Sequence, residues 1–172
     1  MDTNGKIKLA QKGDDNAFYE LISQRKSQLY KTAFAYVKNK EEAMDIVSDT
    51  VYKAYISIKK LKEASFFNTW LTRILINTSL DCINKNNRAT SFEENISYDV
   101  GKISKDDEQI IDLRVAVDKL HGEYKTIVIL KYFQDMTLVE ISKVLQCPLG
   151  TVKTRLHKAL GELRLELREE IL

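Results

Sequence analysis

The sequence predicts an all-α protein made of two small helical domains joined by a flexible acidic linker. Three observations carry this prediction. Apolar residues recur at three- and four-residue spacing along most of the chain, as on amphipathic helices. A single Pro and six Gly among 172 residues leave few breakers. Charge is divided by segment: residues 1–90 hold 15 Lys/Arg against 10 Asp/Glu, residues 91–114 hold 3 against 7, and residues 115–172 hold 9 against 8. Two mildly basic blocks therefore flank an acidic connector. The predicted boundaries are 1–90, 91–110 and 111–172, and a 44% hydrophobic content suffices for one modest core or two small ones.

In chain order, Phe18, Leu21, Ile22, Leu29, Ala33, Phe34 and Val37 predict one or two amphipathic helices from about Asn16 to Lys38. Ala43, Ile46, Val47, Val51, Ala54, Tyr55 and Ile58 predict a long helix from Lys40 to Leu61. KEASFFN follows as a loop, and Trp70, Leu71, Ile74, Leu75, Thr78 and Ile83 predict a third helix from Asn68 to Asn84. Asn86 to Asp107 is polar and shows no sustained period, which marks the linker. Helical pattern resumes at Ile111, breaks at His121-Gly122 and continues to Phe133.

The sharpest local signal is Thr137 to Leu160. Thr137 and Glu140 have the spacing of a capping box. Pro148 cannot continue the first helix and pushes Cys147 toward extended geometry, so the chain turns at Gln146-Cys147-Pro148-Leu149. A second helix, starting near Gly150-Thr151, places Val152, Leu156, Ala159, Leu160, Leu163 and Leu167 on one face, to pack on Ile141 and Leu145. Thr151, Lys153, Thr154, His157 and Lys158 are left for the other face, with Arg155 on its flank. From Ile141 to Gly161 there is no acidic residue. This is a helix-turn-helix whose second helix is expected to read base edges in the major groove of duplex DNA, with Arg155 on phosphate.

EISKVLQCPLGTVKTRLHKAL resembles region 4 of the sigma-70 family in its extracytoplasmic-function class, where a pattern near EIAxxLGxPxGTVKSRLxRA recurs. Ser142 replaces the usual Ala and Gln146 the usual Gly, so Gln146 would carry strain in a left-handed cap. DIVSDTVYKAYISIKKL, from Asp45 to Leu61, resembles region 2.2, with Ser48 for Gln and Tyr52 for Phe. FFNTWLTRILINTSLDCINKNNR, from Phe66 to Arg88, is similar to regions 2.3 and 2.4, FxxWLxxIAxNxxxDxxRxxxR. The resemblance spans nearly the whole chain.

That family supplies the promoter-recognition subunit of bacterial RNA polymerase. By spacing alone, Asp45, Asp49 and Lys53 form a polar stripe that fits either a solvated face or a docking surface. The resemblance implies docking on the coiled coil of the polymerase β′ subunit by Asp45, Ile46, Ser48, Asp49, Tyr52 and Lys53, and contact of region 4 with the β flap. Phe66, Phe67 and Trp70 fit core as well as function. The resemblance implies that Lys62, Phe66, Phe67, Asn68, Trp70, Arg73 and Asn77 capture a base flipped from the opened −10 promoter element, with Lys85 and Arg88 on the backbone. Region 4 would read the −35 element. The implied partners are core polymerase, promoter DNA and an anti-sigma factor, often membrane-anchored, that holds the protein inactive until an envelope or environmental stress arrives.

Other classes are disfavoured. The N-terminus is polar where a signal peptide needs an apolar stretch, and no run reaches roughly 18 apolar residues, so a cytoplasmic protein without membrane insertion is expected. Cys82 and Cys147 are far apart and lack metal-ligand spacing, which suggests ordinary near-core thiols. No catalytic residues, metal, cofactor or small-molecule substrate are expected, since His121 and His157 stand alone and no nucleophile–base set appears. Two rivals remain at this level. One is a homodimeric helix-turn-helix repressor or activator, and the other is a helical adaptor that never touches DNA.

Overall fold

The computed structural model describes residues 2–90 and 115–169, with side chains to residues 86 and 167 respectively. The chain divides into two compact units, Met1–Thr90 and Ser91–Leu172. Among the described residues every regular element is helical, as the sequence predicted. Residues 86–90 of the polar stretch expected to mark the linker instead continue the last helix of the first unit, and the expected linker 91–110 lies outside the described residues.

The first unit contains α1 (Thr3–Gln11), α2 (Asp15–Ser23), α3 (Lys26–Val37), α4 (Lys40–Ser57) and α5 (Phe67–Thr90), with short 3-10 turns at Ile58–Lys60 and Ala64–Phe66. Side-chain caps set several starts. Asp2 accepts from Gly5 N–H, Asp14 from Ala17 N–H, and Asn39 from Glu41 and Glu42 N–H, satisfying donors a helix cannot satisfy itself. The single helix or pair expected from Asn16 to Lys38 is a pair, broken at 24–25, and α3 stops where Lys38 turns left-handed at φ 56°. α1 was not foreseen: only Ile7 and Ala10 of it are buried, too few to give a sequence period.

Helices α3, α4 and α5 pack on one another, and α1 packs on α2. Ile7, Leu21, Ile46, Phe67, Leu71 and Leu75 are enclosed at the centre. Thr32, Thr50 and Ser79 are buried too, and each hydroxyl donates to the carbonyl four residues back, on Gln28, Ile46 and Leu75. That contact removes the cost of an unpaired polar group in the core. Tyr55 departs from the predicted buried stripe. It is 48% exposed, its hydroxyl donates to Asp15 Oδ1 at 2.8 Å, and its ring meets the edge of Phe18 at 5.3 Å.

The second unit begins with helical residues 115–119, then α6 (Gly122–Tyr132), α7 (Leu138–Leu145) and α8 (Leu149–Glu169). His121 is the N-cap of α6, where the helical pattern was expected to break. Thr126 to Leu130 are buried without interruption, so α6 is the central helix and is apolar all round there. α7 and α8 pack against it and against each other. Ala116, Val117, Leu120 and Val128 close over Ala159 and Leu163 of α8, and ion pairs Lys119–Glu166 and Lys125–Asp118 brace the rim.

Candidate nucleic-acid and polymerase interfaces

In the second unit the capping box is complete. Glu140 N–H donates to Thr137 Oγ1 at 3.2 Å, and Thr137 N–H and hydroxyl donate to Glu140 Oε2, both at 2.8 Å. The Thr137 backbone N–H, then its hydroxyl, hold the Glu140 carboxyl below its ordinary pKa. α7 ends at Gln146, which is left-handed at φ 53°, ψ 41° and donates its N–H to Ser142. A β-carbon in that region costs roughly 1–2 kcal/mol, so the strain expected for a non-glycine residue is present. α8 then starts at Leu149, one residue earlier than predicted, and Val152 N–H bonds back to Pro148.

With Val152, Ala159 and Leu163 turned into the core, α8 exposes Lys153, Thr154, His157 and Lys158, with Thr151 half-buried beside them. Thr154 hydroxyl donates to Gly150 carbonyl at 3.0 Å. Arg155 differs from the free phosphate ligand expected of it. Its Nη2 lies 2.9 Å from Glu123 Oε2 in the first turn of α6, so the guanidinium already has an anionic partner.

In the first unit, the segment leading into α5 is tied down from α1. Gln11 Nε2 donates to the carbonyls of Ile58, at 3.3 Å, and Leu61, at 2.6 Å. With Leu61 buried as an anchor, Lys62, Phe66 and Asn68 stand exposed around the start of α5. Asn77 and Lys85 are exposed further along it, Arg73 is half-buried, and Arg88 lies on α5 with its side chain outside the described residues. Phe67 must be corrected: at 1% exposure it is core and has no surface with which to hold a base. Trp70 is half-buried, 5.8 Å from the Phe67 ring, and packs on the same core.

Arg25 carries no signal in the sequence that marks it as part of this site. From the corner between α2 and α3 it donates Nε–H to Asn68 Oδ1 at 2.7 Å and lays its guanidinium over the Phe67 ring, 5.5 Å from the centroid. Partial burial lowers its pKa from the usual arginine value, yet a guanidinium remains charged throughout the physiological range.

On α4, Asp45, Ser48, Asp49, Tyr52 and Lys53 form an exposed face. Ile46 is again a correction: it is 2% exposed and faces the core, because it shares the buried period of Ala43, Val47, Thr50 and Ala54. Lys53 Nζ is shared with α5, donating to Thr78 Oγ1 at 3.0 Å and lying 4.0 Å from Asp81. Met44 and Ile56 join the exposed face at 60% and 59%. Met44, Ser48, Tyr52 and Ile56 repeat every four residues, a second helical period that marked this face in the sequence. Cys82 and Cys147 are free and half-buried, and burial, then Glu42, raises the Cys82 thiol pKa.

Family comparison matches residues 21–89 to sigma-70 region 2 and residues 110–163 to sigma-70 region 4. RNA polymerase sigma factor SigV of Bacillus subtilis is 34% identical over 149 residues, 87% of this chain and 90% of that one. ECF RNA polymerase sigma factor SigW of the same organism is 30% identical over 179 residues, 95% and 96% of the two chains. Among solved structures, CnrH in complex with the cytosolic domain of CnrY aligns with TM-score 0.76 over 97% of each chain at 19% identity. Sigma factor RpoE in complex with anti-sigma factor NepR from Bartonella quintana aligns at 0.72 and 22% identity, covering 88% of this chain and 96% of that one. These two share the fold.

Proposed function

As the chain belongs to the extracytoplasmic-function sigma factors of the sigma-70 family, we propose that its two units divide promoter recognition between them. The exposed face of α4, Asp45, Ser48, Asp49, Tyr52 and Lys53 with Met44 and Ile56, docks on the β′ coiled coil of core RNA polymerase. Phe66, Asn68, Arg73 and Asn77 hold a base extruded from the opened −10 element, with Lys62, Lys85 and Arg88 on the backbone. α8 reads the −35 element as duplex, with the second unit seated on the β flap. The chain performs no covalent chemistry and acts in the cytoplasm, where polymerase supplies the active centre.

The observation that supports this reading best is the exposed face of the first three turns of α8, Lys153, Thr154, His157 and Lys158, which carries no acidic residue before Glu162 and follows a capped α7 and a left-handed turn at Gln146. Its cations are few. Phosphate neutralisation by two or three of them gives weak, salt-sensitive duplex binding, which suits a subunit whose partner contributes further contacts. Both aligned complexes hold a second protein, one of them named as an anti-sigma factor. A partner of that kind covering the α4 and α8 faces would keep this chain inactive until a stress signal removes it.

Separable variants test the division. Lys153→Ala with Lys158→Ala should weaken −35 duplex binding, reduce its log–log salt slope by about 2, and leave core-polymerase affinity intact. Asp49→Lys should do the reverse. Equal loss of both activities in either variant overturns the assignment.

A further inference from the structure

Asn68 is exposed in the first turn of α5, and its amide has one oxygen that accepts and one NH2 that donates. Arg25 engages the oxygen through a charge-assisted bond, 2.7 Å from Nε. Turning the amide over would set its NH2 against the guanidinium, donor against donor. Arg25 itself is held in place. It leaves the corner between α2 and α3, and its guanidinium lies on the ring of Phe67, which is enclosed by the core.

We propose that Arg25 is a positioning residue that fixes Asn68 as a hydrogen-bond donor toward the extruded −10 base, selecting a keto oxygen, thymine O4 or guanine O6, over the amine of cytosine N4 or adenine N6. The paired donor and acceptor with which an Asn side chain ordinarily recognises adenine is disfavoured here, because Arg25 occupies one lone pair of Oδ1 and holds that oxygen on the guanidinium side, leaving the NH2 as the end offered to a base. This inference rests on the −10 reading given above and adds to it a direction of preference.

The test uses holoenzyme assembled from the full chain and core polymerase, on a promoter it opens, with each of the four bases placed in turn along the non-template −10 segment. The readout is open-complex lifetime. At one position thymine and guanine should outlast cytosine and adenine by about tenfold. Arg25→Ala and Asn68→Ala should each reduce that ratio below about twofold, whereas Arg25→Lys, which can still donate to Oδ1, should keep most of it. Asn68→Asp keeps the partnership with Arg25 but offers the base acceptors only, so its preference should invert toward cytosine and adenine. That inversion and the Lys rescue remain informative even where Arg25→Ala folds poorly. A purely structural role for Arg25 would lower all four lifetimes and leave their ratio unchanged. A full ratio in Arg25→Ala with a collapsed ratio in Asn68→Ala overturns the positioning role alone. A full ratio in Asn68→Ala, or no keto preference at any position, overturns Asn68 as a reader and the inference with it.

Discussion

Arg155 Nη2 and Glu123 Oε2 lie 2.9 Å apart, so a cation of the proposed recognition helix is clamped to the first turn of α6. Both side chains are partly solvated, and such pairs contribute only about 0–1 kcal/mol. Glu123→Gln should therefore change thermal stability little while raising duplex affinity at low salt and steepening its salt slope by about 1, because a guanidinium is released to phosphate. Titration of the isolated chain with −35 duplex at several salt concentrations checks this. A fall in affinity would mean that the clamp is needed to aim Arg155.

Gln146 holds a left-handed cap at φ 53°. Gly there relieves the β-carbon strain but adds freedom to the unfolded chain, and the net gain should be about 0.5–1 kcal/mol. A rise of a few degrees in the melting temperature of Gln146→Gly is the expected result. An unchanged or lowered value would show that the Gln side chain compensates its own backbone.

The capping box gives α7 an acid-sensitive start. Glu140 has a folded pKa held below its unfolded value by Thr137, so its contribution is complete above about pH 4.3 and is lost as pH falls through the lower, folded value. Urea melts from neutral pH down to 3 should show the wild type losing its advantage over Glu140→Gln only in that acid range. Thr137→Ala should cost about 1 kcal/mol at neutral pH. A wild-type advantage that persisted at the lowest pH would contradict the box as its source.

Gln11 ties α1 to the turn before α5 through two carbonyls, on Ile58 and Leu61. Gln11→Ala should cost about 1–2 kcal/mol, since two partly buried acceptors lose their donor. Faster hydrogen exchange confined to the segment around Leu61 checks it, and uniform acceleration across the first unit would contradict so local a role.

Periodicity and turn chemistry were legible where they are local. The capping box at Thr137 and Glu140, the break at Pro148 and the apolar stripes of α4, α5 and α8 all follow from spacing within one element. α1 escaped because it buries only Ile7 and Ala10, leaving no period to find. Ile46 and Phe67 were placed at interfaces because a family motif carries positions without carrying burial, and both belong to the core. Tyr55 has the spacing of the core but the polar end of an amphipathic ring, and Asp15 draws that end outward. Arg25 meets Asn68 across 43 residues of sequence, a juxtaposition that packing alone creates.

Run-off transcription with purified core polymerase and genomic fragments tests the promoter-recognition role most directly. The expected result is initiation at discrete sites on a subset of fragments, dependent on this chain and abolished when the −10 or −35 segment of those fragments is scrambled. Absence of any promoter-specific transcript, with the protein shown to be folded and free of inhibitor, would contradict it.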